Sequence, residues 1–364
     1  MFWYLLNILL IILAWIMSIT NNLSHGLSEE QIERRRAKCT CFVGAVNWIL
    51  LSGLRGYSVG ADTDAYRISF LNIKNTSWQI LWDRFVEKYF SAADVEYKDV
   101  GFSILEKAVS ELFSSYTVWL LFIAVVFTVP MAIFIYKYSK NACVSWIVYS
   151  TLFYSFFAIT GHRQTIATAI VLWGGLELNI RRKLIPFLLL LAVGYTIHAS
   201  VICLIPFYWL SQIKITQVKL LGYLIAIAGS FIFRNQLMSL LQSIVGYEGY
   251  QQYEGAAAGT FMFLLIAMVI YVFVFWNSIA LSDNPVLNMS VNALMLAAFF
   301  SSLLLINPSC MRVVQYYSIF MLFIIPDMAL PFDKKSKNIF LLVISCIMIL
   351  LLLIQGPQYS FFFM

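Results

Sequence analysis

The chain has 364 residues, 61% of them hydrophobic and 12% charged, with a net charge of +6 and a mean hydropathy of +0.82. Soluble domains carry about twice that charged fraction, so the balance excludes a water-soluble enzyme. It predicts an all-α, polytopic integral membrane protein whose residues 1–364 form a single membrane domain. Nothing in it asks for a nucleic-acid partner. The six cysteines, Cys39, Cys41, Cys143, Cys203, Cys310 and Cys346, lie mostly in apolar runs without ligand-like grouping and read as small core- or lipid-facing residues.

A membrane span needs about 17–25 apolar residues. In chain order the candidates are Phe2–Thr20, Cys39–Leu54, Thr117–Tyr136, Ala142–Thr160, Arg163–Ile180 and Leu184–His198, then Ala199–Ser211, Leu220–Phe233, Thr260–Leu281, Asn288–Ile306, Arg312–Leu330 and Asn338–Ile354. About 12 helices are therefore expected. The first run has neither a basic leader nor a small-residue cleavage site, so it reads as a retained span.

Lysine and arginine set the orientation. Alternate connections, beginning with Arg34–Lys38 and ending with Lys334–Lys337, hold 14 of the 24 basic residues. The opposite short connections hold only Arg163, Arg234 and Arg312, and the long loop 55–116 holds seven. The first set is thus expected inside, with both termini, the loop 55–116 and a second loop 234–259 outside.

Leu184 to Ser211 is only 28 residues, roughly 42 Å of helix, too short for two full crossings of about 30 Å. One crossing would carry Lys334, Lys335 and Lys337 outside. Two short helices meeting at Thr196–Ser200 fit better, with His198 below the outer surface in a cavity, because non-helical backbone at depth needs protein or water around it.

The long outer loop carries two amphipathic stripes. Trp78, Leu81, Trp82, Phe85, Val86, Tyr89 and Phe90 recur at helical spacing, as do Ile104, Leu105, Ala108, Val109, Leu112 and Phe113. Such faces suit the headgroup layer, and packing is their simplest role. In the second loop Tyr247, Tyr250 and Tyr253 with Gln251 and Gln252 can stack on and hydrogen-bond sugar rings, although interfacial aromatic belts look alike. No internal repeat or glycine-rich phosphate loop is evident, so no nucleotide cofactor is expected.

Four polar groups gather at the outer face: Arg55 with Asp62, Asp64 and Tyr66; His162-Arg163-Gln164; His198; and Asn307 to Arg312. Arg163 and Arg312 each open a helix running inward. A helix start already offers unpaired N–H groups and a positive dipole end, so an arginine there is unfavourable unless an anion binds. Snorkelling to lipid phosphate is the plain alternative. Two such arginines beside Arg55 and a histidine read better as a diphosphate site. Asp62-Thr63-Asp64 looks like a metal-binding D-x-D, yet the outer compartment lacks nucleotide-sugars. A carboxylate near an arginine is the better general base or hydroxyl orienter. His198 is the competing base, or a helix–helix hydrogen-bond donor.

Gly60-x-Asp62-Thr63-x-x-Tyr66 after Arg55, Arg163-Gln164-x-Ile166-Ala167, the Arg181-Arg182-Lys183 turn, His198-Ala199-Ser200 and Arg312-x-x-x-Tyr316-Tyr317 together resemble the EpsG/Wzy-like family of bacterial polysaccharide polymerases, which build O-antigen, capsule and exopolysaccharide chains. Gly-Ala-Asp stands here where the family often has Gly-Thr-Asp. The resemblance implies a GT-C-like, metal-independent inverting glycosyltransferase in the cytoplasmic (inner) membrane, active at its outer face and without a cofactor. It would move an undecaprenyl-pyrophosphate-linked glycan onto a new lipid-linked repeat unit. Asp62, His198, Arg163 and Arg312 would be catalytic, with Arg55, Asp64, Tyr66, His162, Gln164, Tyr250 and Tyr316 binding substrate. Membrane lipids, a chain-length regulator and a flippase are the implied partners. A ligase acting on lipid A-core, a lipid-linked oligosaccharide flippase or other transporter, and a membrane O-acetyltransferase are the competing readings. Transporters, however, tend to place ionisable groups near the midplane.

The orientation is testable by cysteine labelling in a cysteine-free background. Ser91→Cys is expected to react with an impermeant maleimide in intact cells, and Lys335→Cys only after permeabilisation. Labelling of position 91 from the inside alone would overturn the assignment.

Overall fold

The computed structural model describes residues 1–20, 28–91, 95, 97–245 and 257–363, and these are helical with no strand among them. All of the apolar stretches read from the sequence are helical. We label the helices α1 (Phe2–Thr20), α2 (Glu29–Gly53), α3 (Thr63–Ile73), α4 (Trp78–Phe90), α5 (Val100–Leu112), α6 (Tyr116–Tyr138), α7 (142–160) and α8 (162–180). There follow α9 (Leu184–Ile197), α10 (199–210), α11 (Gln217–Ile232), α12 (Arg234–Val245), α13 (Ala257–Ile279), α14 (287–305), α15 (308–327) and α16 (Lys334–Gln355). By length and composition, four of them can cross a bilayer alone: Tyr116–Tyr138, Gly259–Ile279, Leu287–Leu305 and Lys334–Gln355. Counting α11 with α12, bent by 86°, and the two halves of α15, bent by 57°, as one span each gives six. The other apolar helices are short, or are interrupted as in α7 and α8, where π turns break the α ladder.

The outer loop is built from three helices where two were expected. α4 and α5 lie where their stripes predicted. α3 is the addition: it turns Asp62–Tyr66 from a flexible segment into the first turn of a helix, anchored by Thr63, whose hydroxyl donates to the Val59 carbonyl at 2.7 Å. Of the glycines at the exit from α2, Gly60 is the one with positive φ, at 98°. The aromatic face of α4 is not mainly a packing face. Leu81 is buried, while Trp78, Trp82 and Phe90 are exposed, which suits contact with an interface.

A single buried side chain ties the bundle together at this end. α2 and α7 both finish beside Arg55, and a helix end leaves carbonyls with no N–H partner. Arg55 is 1% exposed and donates to the carbonyls of Ser52, Ala158 (3.1 Å) and Ile159 (2.9 Å), and to His162 Nε2 (2.6 Å). A cation at two helix C-termini complements both dipoles. The chain's C-terminal segment closes over the same place. Arg55 and Phe361 form an isolated antiparallel bridge, Gly56 N donates to Ser360 O at 2.7 Å, and the Met1 amine reaches Pro357 O at 2.6 Å.

Residues 184–211 fold back on themselves. α9 and α10 are separated by His198 alone, in extended conformation (φ −158°, ψ 112°). Phe187 meets Tyr208 with ring centroids 5.1 Å apart, and Ser211 Oγ donates to Asn179 Oδ1 at 2.9 Å, next to the basic turn 181–183. The hairpin therefore begins and ends at one face and carries His198 at its tip.

Replacing Arg55 by lysine leaves the charge but cannot reach three carbonyls at once. Each unsatisfied buried acceptor costs about 1–3 kcal/mol. Arg55→Lys is expected to destabilise the protein by about 2–4 kcal/mol, read as unfolding in detergent. An unchanged transition would show that the tie is dispensable.

Candidate functional site

The tip of the hairpin meets the outer loop through Asp99, the residue before α5. Asp99 Oδ2 accepts from Arg163 Nη1 at 3.1 Å and lies 3.2 Å from His198 Nδ1, while Oδ1 accepts from the Ala199 N–H at 3.2 Å. Burial by itself raises the Asp99 pKa. The hydrogen bond from His198, together with the charge and hydrogen bond of Arg163, outweighs it and holds the carboxyl below its ordinary value. Asp99 is thus an anion between two nitrogen groups. Close packing keeps it there: a Cβ on Gly101 would lie 2.2 Å from Thr196 Oγ1 and 2.8 Å from the Thr196 carbonyl.

Tyr66 connects this cluster to Arg55. Its ring stacks on His162 at 4.3 Å, and the Arg163 guanidinium lies over its other surroundings, 5.7 Å from the Tyr66 ring and 5.2 Å from that of Phe102. Burial raises the Tyr66 pKa, and the charges of Arg163, Asp62, Arg312 and Asp99 all act on its phenol. Gln164 adds a backbone tie, its Nε2 donating to the Arg312 carbonyl at 2.6 Å.

The other expected site residues divide by position. His198 is mostly buried, with Nε2 shielded and without a hydrogen-bond partner; Arg163 is one-third exposed. Asp62 is exposed at the start of α3, where its side chain caps nothing. Asp64 turns to Arg67 in a surface pair at 3.0 Å, away from the cluster. Arg55 and His162, expected to touch substrate, are sealed beneath Tyr66, where the guanidinium is spent on helix ends. Tyr316 is buried too, its hydroxyl 2.9 Å from Ser200 Oγ, and neighbouring Tyr317 donates to the Cys203 carbonyl, so this pair holds the second arm of the hairpin. Tyr250 lies outside the described residues.

Two acidic residues of the cluster escaped the sequence reading. Asp99 directly precedes an apolar helical stripe, a position that suggests an ordinary helix cap. Glu106 lies on α5, fully buried, with Ser69 Oγ donating to it at 2.9 Å. Glu106 shares the buried face of α5 with Phe102, Val109 and Ser110, beside the apolar stripe rather than on it, so the stripe gave no signal for it.

The model of the EpsG family matches residues 39–363. The chain belongs to the EpsG family. Membership suggests a polysaccharide polymerase-like glycosyltransferase, and the apolar helices make this EpsG protein a membrane protein. No curated protein and no solved structure matches it. The sequence motifs shared with the family now have positions. In this EpsG protein Arg163 and Tyr66 meet at the cluster, Gln164 ties it to the Arg312 backbone, Arg55 supports it through His162, and His198 faces it through Asp99.

Glu106 gives the EpsG site a pH signature. Burial raises its pKa from 4.5 to about 7, against the lowering by Ser69 and Arg163. At Glu106 the folded protein then binds more protons than the unfolded chain between these values, so this group's contribution to stability is full below pH 4.5 and is lost as pH rises through about 7. The loss is on the order of 3 kcal/mol. Glu106→Gln is expected to flatten this part of the stability–pH curve. A wild-type curve that rises from pH 5 to 8 would contradict the burial argument.

Proposed function

We propose that this protein is an inverting polysaccharide polymerase that uses a polyprenyl-diphosphate-linked glycan as donor and a second lipid-linked repeat unit as acceptor, at the outer face of the cytoplasmic membrane. The observation that carries the reading is the convergence of Arg163, Tyr66 and the Asp99–His198 pair at one place, with Gln164 tying the Arg312 backbone beside them. Two arginines at helix starts suit a diphosphate, because guanidinium forks and helix N–H groups both address its oxygens. In the reaction the acceptor hydroxyl oxygen attacks the anomeric carbon from the face opposite the diphosphate. The glycosidic C–O bond breaks, and its electron pair leaves on the polyprenyl diphosphate. Arg163 and Arg312 stabilise the charge that develops there, and the hydroxyl proton passes to His198 Nε2. No metal is needed in this scheme, since the arginines supply the positive charge.

Between the two candidate bases the geometry favours His198. It is joined to Arg163 through one carboxylate, whereas Asp62 stands exposed at the start of α3 with no capping hydrogen bond. Asp62 is then an orienter at the rim. Arg55, His162 and Gln164 support the site without touching substrate.

Purified protein in nanodiscs, given lipid-linked repeat units, is expected to produce a ladder of longer lipid-linked glycans. Arg163→Ala and Arg312→Ala should each lower turnover about 10²–10³-fold, and His198→Ala about 10²–10⁴-fold. Asp62→Asn should cost less than either. Transport of intact repeat units without elongation would establish the transporter reading instead. A ladder that is normal in both arginine variants would remove the diphosphate site.

A further inference from the structure

We infer that Asp99 is the positioning residue of the site: it fixes His198 in the Nδ1–H tautomer, leaves the Nε2 lone pair for the acceptor, and couples that imidazole to Arg163. The inference rests on the proposed role of His198 as base and adds what sets its protonation pattern.

Local preference gives Asp99 a different job from the one it performs. It stands at the N-cap of α5, where an aspartate normally accepts a hydrogen bond from the second or third N–H of the helix, worth about 1 kcal/mol. The Asp99 side chain makes no such bond. Its backbone is also left-handed (φ 54°, ψ 46°), which costs a non-glycine residue roughly 1–2 kcal/mol, less for aspartate. The carboxylate has given up its cap to face a segment 99 residues further along the chain. Both departures point to a constraint from the tip of the hairpin.

The contacts define that constraint. A carboxylate only accepts, and Arg163 Nη1 and the Ala199 N–H only donate, so all polarity at this point runs toward Asp99. An unprotonated Nδ1 would set its lone pair against the Asp99 oxygen at 3.2 Å. Nδ1 must therefore carry the proton. In the neutral ring the lone pair then belongs to Nε2, which is shielded from solvent and without a partner. An orphaned buried acceptor is costly, and a hydroxyl entering the site would satisfy it. The same logic orients the histidine of hydrolytic triads, where the carboxylate sets tautomer and direction without taking the proton itself. Arg163 shares the Asp99 oxygen that binds Nδ1, so the group that would hold the leaving diphosphate and the group that would take the proton are held in register by one side chain.

The chain has three histidines, His25, His162 and His198. Histidine-selective ¹⁵N NMR of the full-length protein in nanodiscs therefore gives a spectrum that His198→Gln assigns. The expected wild-type result at neutral pH is a protonated Nδ1 and an unprotonated Nε2 on His198. In Asp99→Asn the amide can present its N–H to Nδ1, so the proton is expected on Nε2. Polymerisation should then fall about 10³–10⁴-fold, as when a triad aspartate is neutralised, with the KM for the lipid-linked donor changed less than about threefold. A wild-type His198 protonated on Nε2 overturns the inference whatever the activity. So does an Asp99→Asn spectrum identical to wild type. Should wild-type protein give the expected spectrum and yet never elongate a glycan, the polymerase reading fails while the tautomer assignment stands.

Discussion

One guanidinium organises the end of the bundle that carries the candidate site. In a membrane the carbonyls at a helix terminus have little water to bond, and leaving them bare costs several kcal/mol each. α2 and α7 end side by side with that difficulty, and Arg55 answers it for both by donating to Ser52, Ala158 and Ile159. The wide π turns of α7 belong to the same arrangement: Gly161 N bonds back to Phe156 O, five residues away, so the ladder does not occupy the Ala158 and Ile159 carbonyls in the usual way. The positive charge is met here by helix-end dipoles rather than by a carboxylate. Both terminal nitrogens of Arg55 are committed to these bonds, and at 1% exposure the side chain is sealed from any substrate.

From that anchor a continuous chain of contacts leads to the reactive groups. Arg55 bonds His162, His162 stacks on Tyr66, Tyr66 lies under Arg163, Arg163 bonds Asp99, and Asp99 faces His198. The steps alternate between the loop 55–116 and α8 before reaching the hairpin, so the site exists only when all three are in place. Because Arg55 donates to His162 Nε2, that nitrogen is the unprotonated one, and the ring is held flat for Tyr66 to stack upon. The lower half of the chain is rigid and buried. The upper half, from Arg163 onward, is where exposure begins and where the proposed chemistry would take place.

Much of this was legible in the sequence, and the failures have physical reasons. Helix positions followed from apolar runs and from the stripes of α4 and α5, because a helical period marks a helix even where its apolar face is left exposed, as in α4. The break at His198 came from length alone: 28 residues cannot make two full crossings. Residue roles were harder. Arg55 and His162 look like outer-face polar groups in one dimension, and only the meeting of two helix ends shows that they face inward. Asp64 sits two residues from Asp62, yet helix α3 turns it toward Arg67. Asp99 could not be singled out, since its partners are 64 and 99 residues distant and its position before α5 already has an everyday explanation. Pattern finds elements. Long-range polar pairs, which make sites, leave no period to find.

The short hairpin also sets the depth at which the site works. Fourteen residues of α9 reach about 21 Å, well short of the roughly 30 Å hydrocarbon thickness, so a hairpin that enters from one face carries His198 only part of the way across. The loop has to come down to meet it, and the tight seat of Gly101 against Thr196 is where it does. α4 is suited to such a roof: Leu81 faces the protein while Trp82 and Phe90 face outward, where an interface can receive them. For a glycosyl transfer this depth has a chemical consequence. Water is a competing acceptor, and a base sunk beneath a packed roof meets fewer water molecules. The same lowered polarity strengthens every interaction among Arg163, Asp99 and a diphosphate. A pair of full-length spans would lift His198 to the surface and lose both effects, so the short arms of α9 and α10 are a condition of the proposed chemistry.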